Sequence, residues 1–234
     1  MGIGIERAGH AKPEWLTELS HDPLDGETVH RVAELLPPGY EAYLRLFHPF
    51  RIWGSDADST DGSSRRTWKA LADEAGASFG GELTWRSLQP ALPLTEGRRP
   101  YEVDEGHLDR VTRRELFSTL DAHTSPGSVY FFYGLAAVVA GHDSVLFRAP
   151  AGAVEEVVAA ARSEGLGESP ELAWPEERAW LLCSDYDVTS TYIASDRALA
   201  DALIDDTQLE IAEVSRDARI DGRADEFTDG LGAG

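Results

Sequence analysis

Between residues 174 and 195, Glu176 and Glu177 precede an apolar run and Asp185 and Asp187 follow it, with Arg178 set between Trp174 and Trp180. Two carboxylates held close repel each other, so one keeps its proton while its neighbour stays ionised, which is the acid and base pair a hydrolase uses. Asp185 and Asp187, two residues apart, share a face if a strand runs on through them. The competing reading places both in a turn, where short acidic side chains bond nearby backbone N–H groups. No third group suited to catalysis lies close in sequence. The turn is therefore the expectation, and Asp185, Asp187, Glu176 and Glu177 form the catalytic set of an alternative, hydrolase-like reading.

Metal and cofactor chemistry find little support. Seven histidines, His10, His21, His30, His48, His107, His123 and His142, include no pair at the close spacing of a metal site. The run Asp56-Ala57-Asp58-Ser59-Thr60-Asp61-Gly62 invites comparison with a calcium loop, but its glycine stands seventh, and Thr67 occupies the position of the bidentate glutamate. Gly-x-Ser-x-Gly, phosphate-loop and dinucleotide motifs are missing. The expectation is no metal and no cofactor. The single cysteine, Cys183, falls in an apolar run and reads as a buried thiol.

Charge gives a clearer signal. Forty-two acidic and 21 basic side chains leave a net charge of −21, which repels nucleic-acid backbones and attracts basic partners. Residues 163–177 hold Glu164, Glu168, Glu171, Glu176 and Glu177, and residues 198–215 hold Asp201, Asp205, Asp206, Glu210 and Glu213, with no Lys or Arg in either. If a helix from about Asp196 packs through Leu199, Ala202 and Leu203, then Asp201 and Asp205 share its outer face. Asp201, Asp205, Asp206 and Glu210 are the candidate binding residues, with a basic protein as partner.

The elements that position these groups follow from period and punctuation. Residues 179–184 and 188–193 read as two strands of a hairpin, and Ser195 as the cap of the helix after it. Pro175, with no N–H for a ladder, is expected to bar residues 174–175 from a central strand. Val29, Val32, Leu35 and Leu36, the Pro37-Pro38-Gly39 turn and the alternating residues 42–47 suggest another hairpin. Ser63 or Ser64 then caps a helix carrying Trp68, Leu71, Ala72 and Ala75. Thr112 and Glu115 have capping-box spacing ahead of Leu116, Phe117 and Leu120. Residues 129–133 and 145–147 form a third strand pair, followed by a helix with Val154, Val157, Val158 and Ala161 on one face. Trp174, Arg178, Trp180 and Tyr192 are assigned structural roles, Arg178 stacking on an indole or pairing with Asp187.

Across 234 residues, 42% hydrophobic and 27% charged side chains place the chain in the globular class. Its apolar runs fall short of the ~18 residues of a membrane span. With no signal-peptide pattern in residues 1–20, a cytoplasmic location and no membrane partner are expected. Residues 1–27 read as an irregular leader, 28–215 as one domain and 216–234 as a flexible acidic tail.

Three stretches carry a resemblance: Leu36-Pro37-Pro38-Gly39-Tyr40-Glu41-Ala42-Tyr43-Leu44-Arg45-Leu46-Phe47-His48-Pro49, then Trp68 with Leu71-Ala72, and Trp174-Pro175-Glu176-Glu177-Arg178-Ala179-Trp180 with Asp187 and Thr191-Tyr192. Together they resemble a family of actinobacterial proteins marked by a Trp-Pro-x-x-Arg-Ala-Trp motif. The resemblance spans most of residues 28–215 and implies a shared fold without implying a chemistry. Around residues 190–195 this chain lacks the Trp and paired glycines of that family's pattern. The Pro-Pro-Gly-Tyr-x-x-Tyr-Leu opening is also similar to that of SMI1/KNR4-type immunity domains, which implies an acidic α+β binding module. The reading is an α+β fold, a mainly antiparallel sheet built from three hairpin-plus-helix units with the helices packed on it. The expected function is that of a non-enzymatic interaction protein binding a basic partner, immunity-like by the second resemblance. The hydrolase-like enzyme and a small-ligand binding protein with an aromatic pocket are the alternatives.

Overall fold

The computed structural model describes residues 4–9, 15, 31–52, 65–91, 101–106, 108–141, 143–185 and 188–220. Along them run β1 (Glu6–Gly9), α1 (Val32–Leu35), β2 (Ala42–Phe47), β3 (Phe50–Ile52), β4 (Arg65–Arg66), α2 (Trp68–Ala75), a 3-10 helix (Arg86–Ala91), β5 (Tyr101–Val103) and α3 (Arg110–His123). There follow β6 (Val129–Tyr133), α4 (Leu135–Val139), β7 (Val145–Ala149), α5 (Val154–Ser163), β8 (Leu172–Pro175), β9 (Trp180–Cys183), β10 (Ser190–Ser195), α6 (Arg197–Asp205) and β11 (Ile211–Glu213). The fold is α+β. Eight strands form one antiparallel sheet in the order β1-β7-β6-β8-β9-β10-β2-β11, and β4-β3-β5 form a second, small one.

Alternation sorts the side chains of the large sheet. Val129, Phe131 and Tyr133 of β6 and Trp180 and Leu182 of β9 share a core with α3, α5 and α6. Phe132, Leu181 and Cys183 point to the other face, which α1 covers through Val32 and Leu35. Because both faces of these middle strands are buried, their sequences read as unbroken apolar runs. A third cluster joins the small sheet to α2 around Phe50, Trp68, Leu71 and Leu88.

Two of the three expected hairpin-plus-helix units are present: β9 and β10 with α6, and β6 and β7 with α5, the latter pair linked through α4. The first differs. Val32, Leu35 and Leu36 have the i, i+3, i+4 spacing of a helix, and residues 32–35 close into α1 instead of a strand. Its N–H groups at Val32 and Ala33 donate to the carbonyls of Ala218 and Arg216, so residues 216–220, expected in a flexible tail, pack back on α1. Residues 221–234 lie outside the described residues. In the expected leader, residues 6–9 form an edge strand on β7.

Pro175 also corrects its expectation, since β8 is an inner strand between β6 and β9. Pairing of β8 with β9 stops at Ala173, whereas pairing with β6 continues to Val129 opposite Pro175, and the Glu176 N–H donates to Ser128 O at 3.1 Å. The hydrogen-bonding side of Pro175 thus faces the gap where β9 has already left, and its missing N–H costs the ladder nothing. The helix caps sit elsewhere than expected. Thr67 caps α2, Asp109 caps α3 by accepting from Val111 and Thr112 N–H, and Asp196 caps α6 by accepting from Leu199 N–H. Ser195 instead donates to Asp196 O, and Ser63 and Ser64 lie outside the described residues. Beside β11, a Cβ on Gly81 would collide with the Glu213 carbonyl, so glycine lets that loop close over the sheet edge.

Candidate functional site

Leu199, Ala200 and Leu203 bury one side of α6, which leaves Asp201 and Asp205 exposed, with Ile204 39% exposed beside them. The chain then turns at Asp206, whose carboxylate accepts from the Thr119 hydroxyl at 3.0 Å and from Gln208 N–H at 2.9 Å. Pairing of Ile211 with Leu46 fixes β11 at the sheet edge, and the preceding Glu210 thereby reaches the start of α2. Its two carboxylate oxygens accept the N–H groups of Trp68 and Lys69, both at 2.8 Å. These are donors that a helix leaves unpaired at its first turn, where the helix dipole also favours an anion. Burial pushes the Glu210 carboxyl above its ordinary value, partly offset by those two N–H bonds and by the charges of Arg65 and Lys69.

Between α2 and the α6–β11 connection lies a groove of about 470 Å3. Phe79, Ile204, Leu209 and Ile211 supply apolar lining, while Asp73, Asp205, Asp206 and Glu210 supply four carboxylates against the single ammonium of Lys69. Three of the four expected binding residues are thus brought together. Asp201 stands apart, 3.5 Å from Arg197, whose guanidinium also binds Glu213 at 2.8 Å. Asp73 was missed: its place after the buried Leu71-Ala72 marks it as outward-facing, but nothing in the sequence sets α2 beside α6. Asp206 and Glu210 are engaged internally, so Asp73 and Asp205 are the exposed carboxylates of the groove. Such a lining suits a cationic side chain carried on an apolar body.

Among the described members of the catalytic set of the alternative reading, Glu176 and Glu177 do not meet Asp185. Glu176 and Glu177 are exposed in the turn before β9, Glu176 pairing with Arg148 at 3.2 Å. Asp185 is buried at the far end of β9, a separation of roughly 13 Å along a four-residue strand. Asp187 lies outside the described residues. The carboxylate that acts on the surroundings of Asp185 is Glu171, which the sequence placed only in the acidic stretch 163–177 and which the structure buries. This buried carboxylate accepts from Gly134, Leu135 and Ala136 N–H at 3.0, 3.0 and 2.9 Å. Burial raises its pKa, the three N–H bonds oppose the rise, and the charge of Asp185 adds to it. Burial likewise pushes up the Cys183 thiol, with Asp185 and Glu171 adding to the effect.

A second polar chain was also not foreseen. His48 Nδ1 lies 2.7 Å from Asp104 O, its Nε2 lies 2.9 Å from the Thr191 hydroxyl, and that hydroxyl bonds Ser184. His48, Thr191 and Ser184 are each at most 1% exposed, which closes them to a substrate and makes them ties between the ends of β2, β9 and β10. Of the residues assigned structural roles, Trp174, Trp180 and Tyr192 are buried. Arg178 lies over an indole, the ring of Trp15, 5.6 Å from its centroid, and not over one of the two tryptophans that flank it in sequence. Among the described residues, no group of three or more His, Cys, Asp or Glu is placed to hold a metal ion, and no helix is long and apolar enough to cross a membrane. Residues 56–62 and the histidines other than His48 and His123 lie outside the described residues. No protein family, curated protein or solved structure matches the chain.

Proposed function

We propose that the protein is a non-enzymatic interaction protein that binds a basic protein partner through the groove between α2 and α6. The observation that carries this reading is the convergence of Asp73, Asp205, Asp206 and Glu210 on an apolar-lined cavity with one opposing cation. The net charge of −21 supports it, because a field of that sign steers a basic partner toward the surface. An immunity-like role is the narrower form of the proposal, in which the basic partner is a toxin. A cytoplasmic location goes with it, supported by a lone buried cysteine that calls for no oxidising compartment.

A fluorescent peptide of alternating Lys, Arg and Leu, with a Glu-substituted counterpart, tests this by anisotropy. The basic peptide is expected to bind at low salt and to weaken steeply as the Debye length contracts from ~10 Å at 0.1 M toward ~3 Å at 1 M. Asp73→Lys with Asp205→Lys is expected to weaken binding roughly tenfold or more, about 1.4 kcal/mol, while the melting temperature stays unchanged. The same charge change made elsewhere, at Asp143 and Glu156, is expected to leave most of the affinity. Equal losses from both pairs would show attraction to net charge only and would sink the groove as the site.

A further inference from the structure

Apart from that groove, the sheet face opposite α3, α5 and α6 carries a cavity of about 400 Å3 lined by Trp15, Tyr130, Leu146, Trp174, Glu176 and Arg178. Its volume falls within the roughly 300–1,000 Å3 range of small-molecule sites. Three aromatic rings dominate it. Trp174 and Tyr130 stack with centroids 5.7 Å apart and planes at 23°, and Trp15 meets Trp174 edge-on at 5.0 Å. The Arg178 guanidinium lies over Trp15, and that of Arg148 lies 5.9 Å from the Tyr130 centroid while pairing with Glu176. The Nε of Arg148 is buried and makes no hydrogen bond.

The backbone at this cavity is held in a costly conformation. Arg178 has φ +54°, the one positive value among the described non-glycine residues. A left-handed conformation is unfavourable for a residue with a Cβ. It is fixed by the Arg178 N–H donating to Pro175 O at 2.9 Å and by the Tyr40 hydroxyl donating to Arg178 O at 3.0 Å. Strain of this kind persists where surrounding contacts over-determine it, and here it holds a guanidinium against the Trp15 ring.

We propose that this cavity is a binding site for an uncharged saccharide ring. The half-buried rings of Trp15 and Tyr130 suit the flat C–H surface of a sugar, whereas the polar lining offers donors, on Arg178, and an acceptor, on Glu176. A ring of hydroxyls, each able to donate and accept, matches that mixed set. Charged ligands fit less well: an anion meets Glu176 within a protein of net charge −21, and a cation meets the Arg178 guanidinium.

Saturation-transfer difference NMR with maltotriose, cellotriose and tri-N-acetylchitotriose tests this, with benzoate and choline as charged probes. At least one trisaccharide is expected to give saturable transfer, weakened roughly tenfold by Trp15→Ala. Since Trp15 is only half-buried, that variant is expected to keep its circular dichroism and melting curve; Glu176→Gln, at an exposed position, gives a second and milder loss. The Asp73→Lys, Asp205→Lys protein is expected to bind sugar as the wild type does, so a failure of the acidic groove and a failure of this site are read separately. The proposal is overturned if none of the three sugars binds, if binding ignores Trp15→Ala, or if benzoate or choline saturates where the sugars do not.

Discussion

Trp180 shows how one strand residue joins layers. Its ring is fully buried among the side chains shared by the sheet and α3, it meets Phe117 edge-on at 6.4 Å, and its Nε1 donates to Thr124 Oγ1 at 2.9 Å. Trp180→Ala removes both the ring volume and the indole hydrogen bond, with an expected cost of about 3–5 kcal/mol as a large core deletion. Trp180→Phe keeps most of the packing and is expected to cost less. Urea unfolding measures both, and a Trp180→Ala protein melting within about two degrees of wild type would refute the assignment. Burial of Trp180 and Tyr192 was legible because short, nearly unbroken apolar runs mark strands buried on both faces. The partner of Arg178 was not, because Trp15 lies far away in sequence and no periodicity links them. The roles of Asp206 and Glu210 were hidden for the same reason: a carboxylate that caps a distant helix, as Glu210 does, or accepts a distant hydroxyl, as Asp206 does, looks in sequence like one that faces solvent.

Elements divide by length in how well the sequence foretells them. Helices α3, α5 and α6 run long enough for a buried stripe to show: α3 and α5 carry their predicted apolar residues inward, and α6 buries Leu199 and Leu203 as expected but Ala200 in place of Ala202. Segments of three to five residues, such as α4 and β3, show less than two helical turns or two strand periods, too little for a pattern to emerge, and in α1 the helical spacing of Val32, Leu35 and Leu36 spans little more than one turn. Helix starts are misplaced by a few residues because several side chains near each start can accept a hydrogen bond, and only the backbone geometry selects one. At α3 the selected residue is Asp109, which accepts from Val111 N–H, Thr112 N–H and the Thr112 hydroxyl and also pairs with Arg65 at 3.1 Å. Asp109→Ala is expected to cost about 1–2 kcal/mol. Thr112→Ala, which leaves the cap in place, is expected to cost less by the same urea measurement. A larger loss at Thr112 than at Asp109 would return the cap to the capping-box position.

At the scale of the molecule, two carboxyls and the net charge act in the same direction on stability. Burial raises the pKa of both Glu171 and Glu210 from 4.5, so the native state holds their protons more tightly than the unfolded chain does. Stability from these groups is therefore complete below the unfolded value and is lost as pH rises through the native one. Self-repulsion at a net charge of −21 also eases as carboxylates protonate. Glu213 works the other way: its hydrogen bond to Arg197 lowers its pKa, and its contribution fades in acid, although an exposed pair contributes little. The urea midpoint is expected to climb as pH falls from 8 toward about 5, and to drop in stronger acid as ion-paired carboxylates are protonated. Added salt is expected to raise the midpoint at pH 7 by screening repulsion, leaving the pH slope from buried Glu171 largely in place. Glu171→Gln removes that titration, so its midpoint is expected to vary less than that of the wild type as pH rises above the ordinary carboxylate value. Parallel wild-type and Glu171→Gln profiles would mean that burial of Glu171 leaves its proton affinity as in the unfolded chain, and that repulsion alone sets the acid side of the stability curve.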